Sequence, residues 1–377
     1  MKKAVAILIV IIMVAIMVLP FIEQITTKTE DNHIYSLDNV LQDMSLKEKV
    51  CQLFIVAPEA ISGQDATTDI SQEFNDGYSN LPVGGIILFA KNILNREQVK
   101  KLLSDLENIG NIPMFLSVDQ EGGTVARLNE NVDFPIFDNM YNYRDDGTDT
   151  AYQNSKTIAD ELRQLGFNLD FAPVADVWSN PDNTIIGKRA YSDDFNQAAD
   201  LVSSAVKGFS DGNIISTLKH FPGHGDTSVD THNDIAFVKK TKEQLNEQEI
   251  IPFKAGINSG AEMVMVGHLV ICDIDPEKPA TISRAVISDY LKDELGYNGI
   301  VISDAFNMSA VSKEYSSGEL AVMGLDAGLD IILMPENLNE AVDAVINAIE
   351  VGTLSEERIN ESVIKILKLK EKYGLLN

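Results

Sequence analysis

Three of the chain's five histidines fall in one stretch, KHFPGHGDTSVDTH at 219–232. It sets Lys219, His220, His224, Asp226, Asp230 and His232 around Pro222, Gly223 and Gly225. These residue types serve three chemistries: metal ligation, a nucleophilic triad, or proton transfer. His220 and His224 are spaced like two ligands on one helical face, but the intervening Pro222 and Gly223 prevent a helix. Ligation from a strand end and a loop stays open. A triad through Ser228 is poor, because residues this close in sequence rarely reach nucleophile–base–acid geometry. Asp230 and His232 are i and i+2, so in extended backbone the carboxylate can hold the imidazole and stabilise its charged form. A histidine near its reference pKa of about 6.5 can give a proton and take it back at neutral pH. The plainer reading of the pair is a surface hydrogen bond.

A second candidate is Asp304, which closes the apolar run VISDAFNM. It reads either as a helix N-cap or as a carboxylate nucleophile. A glycosidic bond breaks through an oxocarbenium-like transition state, and a carboxylate beside the anomeric carbon can attack and then be displaced.

These residues need a scaffold. Strand-like apolar runs occur at 52–57, 84–90, 112–119, 167–174, 214–221, 261–269, 299–305 and 330–335, separated by amphipathic helical stretches. The runs are nearly continuous in hydrophobicity, as parallel strands buried on both faces should be. Eight such alternations predict a (β/α)8 barrel, and the first βα turn lacks the Gly-rich fingerprint of a dinucleotide fold. In a barrel the reactive groups sit at the C-terminal strand ends. Asp119 and Glu121 follow strand three, Lys219 and His220 end strand five, His268 ends strand six, and Ser303 and Asp304 end strand seven. Lys91 and Asp176 come from the second and fourth ends. The Pro222–Gly225 turn is expected to let the loop beyond it swing.

The formal charge of −27 and pI near 4.4 describe a surface that repels phosphate backbones, so nucleic acid is excluded as a partner. MKK is followed by an uncharged apolar run from Ala4 to Ile22, about 28 Å long as a helix and close to a bilayer's hydrocarbon thickness. No small-x-small cleavage site follows it. The expected organisation is a transmembrane signal anchor over 1–23, a linker over 24–40 and a catalytic barrel over 41–377. The two N-terminal lysines would keep that end cytoplasmic and the body outside the cell membrane, or the body is secreted if the segment is cleaved. Cys51 and Cys272 lie in apolar runs and read as core residues.

Taken together, GGIILFAKNI, SVDQEGGTVARL, FNLDFAPVADV, IIGKRAYSDD, KHFPGHGDTSVDTH, PATISR, GIVISDAFNMSAV and AGLDIILMP resemble glycoside hydrolase family 3, in its β-N-acetylglucosaminidase branch. The similarity runs from about Ser45 to Gly374. It implies a retaining double-displacement hydrolase on a (β/α)8 barrel, with Asp304 as nucleophile. It also implies His232, assisted by Asp230, as general acid/base on a mobile loop. Asp119, Arg127, Arg189, Lys219 and His220 would hold sugar hydroxyls. The D-x-H loop distinguishes this branch from family β-glucosidases, which take a carboxylic acid from elsewhere, often from a second domain that this chain is expected to lack. Ala305 departs from the pattern, since some members of the branch carry a second aspartate there, and this bears on fine specificity. The expected substrate is a glycan ending in N-acetylglucosamine, such as a peptidoglycan fragment, with no metal or organic cofactor. The alternatives are a β-glycosidase or a phosphorylase of the same family. More distant ones are a metal-dependent barrel hydrolase using His220, His224 and Asp226, or a cell-wall-binding protein without turnover.

Overall fold

The computed structural model describes Leu37 and residues 39–128, 132–227 and 235–376. From Leu46 onward the chain forms one compact unit. Its centre is a sheet of eight parallel strands: β1 Phe54–Val56, β2 Gly85–Leu88, β3 Phe115–Val118, β4 Leu169–Asp170, β5 Ile215–Phe221, β6 Met263–Val266, β7 Ile300–Ser303 and β8 Ile332–Leu333. Each pairs with its sequence neighbour, and β8 pairs with β1 through Phe54↔Ile332. Between β7 and β8 the link is a single parallel bridge, Ile302↔Ile331, with Ser303 N–H donating to the Ile331 carbonyl at 3.1 Å. The barrel is thereby nearly closed, and every predicted strand is present within its expected bounds.

The helices follow from the apolar spacing between strands. The longer ones are α1 Gln72–Asn80, α2 Arg96–Glu107, α3 Thr148–Leu165, α4 Phe195–Asp211, α5 Ile250–Asn258, α6 Ala285–Glu294, α7 Ser317–Ala327, α8 Leu338–Glu350 and α9 Glu356–Lys372. In α2 the buried Val99, Leu102, Leu103 and Leu106 recur at helical spacing, and the Asn95 side chain caps the helix by accepting from Gln98 N–H. The α6 segment is wound with π-type bonding, and at its end Leu295 N–H reaches the Tyr290 carbonyl.

The expected fold class is corrected in one respect. Among the described residues no helix is long and apolar enough to cross a membrane. The architecture of the described residues is a single (β/α)8 barrel, and the transmembrane signal-anchor helix expected over 1–23 is not among them. The membrane contact and the single-pass extracytoplasmic placement expected from that helix are therefore carried by no described residue. Residues 1–23 themselves lie outside the described residues.

Candidate active site

Strand β5 supplies the cationic centre of the barrel mouth. Its pairing with β6 shifts register between Leu218 and Phe221. Strict alternation would send Lys219 and His220 to opposite faces. With the irregularity, both consecutive side chains line the mouth. Lys219 Nζ lies 2.9 Å from Asp119 Oδ1 and 2.6 Å from Glu121 Oε1. Arg189, from the turn of helix at Gly187–Arg189, grips Glu121 in a fork, with Nε to Oε2 at 2.9 Å and Nη2 to Oε1 at 2.8 Å. Arg127 approaches Asp119 from the other side at 3.7 Å. Burial opposes the charge on Glu121, but Arg189 and Lys219 outweigh it and hold the carboxyl well below the usual range. Burial likewise opposes the Lys219 ammonium, and Asp119 and Glu121 overcome it and raise its pKa.

Beneath this cluster lies Asp170, fully buried at the end of β4, with Oδ1 accepting Gln120 N–H at 2.9 Å. Burial pushes its pKa up to about 8, and Asp119 and Glu121 add to the rise. Burial therefore favours its neutral form near neutral pH.

Asp176 organises the two nearer histidines. One oxygen accepts His220 Nδ1–H at 2.7 Å and His220 N–H at 3.1 Å, and the other accepts His224 N–H at 2.7 Å. Burial disfavours this carboxylate, yet His220 and His224 hold its pKa below the ordinary value. With Nδ1–H committed to Asp176, Nε2 is the second polar atom of the His220 ring. His224 is 2 % exposed, bonded through Nδ1 to Thr227 Oγ1 at 2.8 Å, and its carbonyl accepts from Asn183 Nδ2 at 2.7 Å.

The Pro222–Gly225 turn itself is packed, and residues 228–234 of the loop expected to swing beyond it lie outside the described residues. Gly225 passes so close to Val177 that a Cβ there would stand 1.6 Å from the Val177 carbonyl oxygen. Gly223 has φ of +127°, and a Cβ would meet the Glu249 side chain at 2.6 Å. These glycines serve close approach.

Asp304 follows β7 at the mouth, half-buried. Its N–H donates to the Val266 carbonyl at 2.8 Å, and its Oδ1 accepts Ala305 N–H at 2.8 Å. Burial raises its pKa, but His220, His268, the Ala305 N–H and Lys219 together bring it below the ordinary carboxylate value. His268 is a positioning residue: its Nε2 donates to the Ala305 carbonyl at 2.9 Å, and its Nδ1 meets Thr281 Oγ1 at 3.0 Å.

Asp304, Asp119, Arg127, Arg189, Lys219 and His220 all line one cavity of about 360 Å³ at the C-terminal face, with Glu121, His224 and Asn307 beside them. Asp230 and His232 lie outside the described residues. Lys91 stands apart from the cavity and pairs with Glu59 at 3.2 Å. No group of three or more His, Cys, Asp or Glu side chains among the described residues could hold a metal ion. Sequence reasoning gave Asp176 only a place on the rim. Its depth beneath two histidines follows from the turn geometry, which no local motif announces. The weight of Glu121 was readable in its place two residues beyond Asp119.

Fold and site define a (β/α)8 barrel protein with an ionised carboxylate facing a cationic clamp in a small-ligand cavity. The chain belongs to glycosyl hydrolase family 3: the model described as "Glycosyl hydrolase family 3 N terminal domain" matches residues 45–369. Its relatives place it in the β-N-acetylglucosaminidase (β-hexosaminidase) branch. It is 33 % identical to Beta-hexosaminidase A of Pseudoalteromonas piscicida over 81 % of this chain and 56 % of that one. It is 37 % identical to Beta-hexosaminidase of Stenotrophomonas maltophilia (strain R551-3), over 74 % of this chain and 85 % of the relative. A solved glycoside hydrolase family 3 β-N-acetylglucosaminidase from Paenibacillus sp. str. FPU-7 superposes with a TM-score of 0.83 at 38 % identity, over 88 % of this chain and 63 % of that one. The chain thus spans little more than half the length of the first relative and under two thirds of the first solved structure.

Proposed function

We propose that this chain is a retaining exo-β-N-acetylglucosaminidase that removes terminal N-acetylglucosamine from glycans, including peptidoglycan-derived fragments. The observation that carries the reading is Asp304. It is an ionised carboxylate fixed by backbone at a strand end, in a cavity whose clamp includes Lys219 and His220. In this reading Asp119, Arg127, Arg189, Lys219 and His220 hold the sugar's hydroxyls. Asp304 attacks the anomeric carbon as the bond to the leaving oxygen breaks, and His232, held by Asp230, gives that oxygen a proton. The same imidazole then takes a proton from water, which displaces Asp304 and restores the starting configuration at the anomeric carbon.

The test is hydrolysis of an aryl N-acetyl-β-glucosaminide against the aryl β-glucoside, with and without phosphate, following the product anomer by NMR. The expected result is preference for the N-acetyl sugar, a β product and no phosphate requirement. Asp304→Asn should lower kcat by about three orders of magnitude or more while leaving the unfolding midpoint within a few degrees. An α product, or an active Asp304→Asn variant, overturns the assignment.

A further inference from the structure

At the N-terminal ends of β7 and β8, away from the mouth, a hollow of about 210 Å³ opens among α6, the turn before β8, and α9. Its floor is Asp330, whose side chain is 1 % exposed. Asp330 ties the β7–β8 seam, which pairs through a single bridge. Its Oδ2 accepts Val301 N–H at 3.0 Å, and its Oδ1 accepts the Ser362 hydroxyl at 2.8 Å. Three cations converge on this one carboxylate. Lys292 Nζ stands 3.3 Å away, Lys365 Nζ 3.2 Å and Arg358 Nη2 3.7 Å.

One cation would balance Asp330. The other two are in surplus, half-buried, in a chain whose formal charge is −27. The crowding shows at Lys292, where burial draws the ammonium down to about 8, with Lys365 and Arg358 adding repulsion against the pull of Asp330. The rim carries Arg284, Asp326 and Glu361, all exposed, so water and salt screen their charges. Neither rim carboxylate is in an ion pair with an inner cation.

Donors are also in surplus. An ammonium has three N–H groups. Lys292 commits one to the Gly328 carbonyl and one to Asp330. Lys365 commits one to the Gly299 carbonyl at 3.4 Å and one to Asp330. Each keeps a donor, and so does the Arg358 guanidinium, which is bonded to the Ser362 hydroxyl and the Leu329 carbonyl. On the α6 side Arg284, Ser288 and Lys292 recur every fourth position along the π-wound helix, a rare winding that clusters at functional sites. Cations that surround a space suit a tetrahedral oxyanion better than a flat carboxylate. The charge of about −2 on a phosphate group at neutral pH matches the surplus.

We infer that this hollow binds a phosphate-class oxyanion, either inorganic phosphate or the phosphate group of a small monoester. The bound group would bridge α6 and α9 across the seam and stabilise the barrel. The site lies at the start of β7, whereas Asp304 follows its end, so it stands whatever reaction the mouth performs.

The test titrates inorganic phosphate and glycerol 3-phosphate separately into the full chain, with chloride holding ionic strength constant. Calorimetry should show saturable binding, and the unfolding midpoint should rise by about 2 °C at roughly twenty times Kd. Phosphate acting only as an excluded salt gives a rise that does not saturate. The tighter of the two probes identifies the source, free phosphate or monoester. Lys292→Gln and Lys365→Gln each leave two cations on Asp330, and each should weaken binding by about tenfold, while Lys365→Arg should keep most of it. In the unaltered protein, phosphate should slow acetylation of Lys292 and Lys365 by about fivefold or more, read by peptide mass, and leave the exposed Lys101 unchanged. That arm needs no variant to fold. A non-saturating rise, binding of equal strength in the glutamine variants, or no protection of the two lysines overturns the site.

Discussion

The ion cluster at the barrel mouth makes a quantitative prediction through Glu121→Gln. The glutamate side chain is 3 % exposed and takes both forks of Arg189 together with Lys219, which is itself 3 % exposed. Glutamine keeps the shape and removes the charge. Lys219 then retains Asp119 at 2.9 Å, and Arg189 retains one amide oxygen and the Ile185 carbonyl at 3.1 Å. Breaking a buried pair by removing one partner costs about 3–5 kcal/mol, because a desolvated charge is left uncompensated. The retained bonds put this site at the lower end, about 3 kcal/mol. With a urea m-value near 3 kcal/mol/M, the midpoint should fall by about 1 M. The loss should change little between low and moderate salt, since the pair is shielded from counter-ions. Adding Lys219→Met removes one cation but leaves Asp119 with only Arg127 at 3.7 Å, so the double variant should lose less than the sum of the two single changes while losing sugar affinity. A midpoint drop under about 0.3 M, or a double variant whose losses simply add, would refute the argument that charge compensation governs this cluster.

Two buried titratable groups give opposite pH signatures. Lys370 is fully buried, bonded to Gln52 Oε1 at 2.9 Å and the Gly84 carbonyl at 3.2 Å, and burial pushes its ammonium down to about 7. Its folded pKa lies below the unfolded value, so its contribution to stability rises between about pH 7 and pH 10. Lys370→Met should flatten that rise and stabilise the protein at pH 7 by roughly 1–3 kcal/mol in urea titrations. Asp170 has a raised folded pKa of about 8, so its contribution is fully present below the unfolded value near 4 and is lost as pH climbs through 8. Asp170→Asn should gain on the order of a few kcal/mol at pH 8.5 relative to pH 5 in paired urea titrations, and a pH-independent difference would refute the shift.

The barrel was legible because parallel strands buried on both faces leave continuous apolar runs, and β5 and β7 declare themselves this way. The rim was legible for the same reason: Asp119 and Asp304 are where those runs stop. What the sequence does not disclose is depth. Asp176 and Glu121 look like any other acidic residues after a strand, and only the turn at Gly223–Gly225 folds two histidines over the first. Strand alternation would have separated Lys219 from His220, and the β5 register shift reunites them. The apolar N-terminal run suggests a membrane helix from hydropathy and length; it lies outside the described residues, among which no helix meets that description.

The arrangement of charge bears on which nucleophile completes the reaction. The cations that line the cavity are already engaged: Arg189 and Lys219 with Glu121, and Lys219 and Arg127 with Asp119. Phosphate entering this space would have to displace a carboxylate from a buried pair, at a cost comparable to the loss expected for Glu121→Gln. Water has no such requirement. In the proposed reaction an oxocarbenium-like transition state would gain positive charge beside Asp304, and the carboxylates around it are fixed beforehand, so the stabilisation would need no reorganisation. The clamp therefore serves two ends with one geometry. In the proposed reaction it would neutralise Asp119 and Glu121 enough to hold neutral hydroxyls, and among the described residues it leaves Asp304 as the lining carboxylate without a full ion pair. On that argument a variant with one unpaired cation at the mouth, such as Asp119→Asn, is where any phosphate-dependent turnover should first emerge.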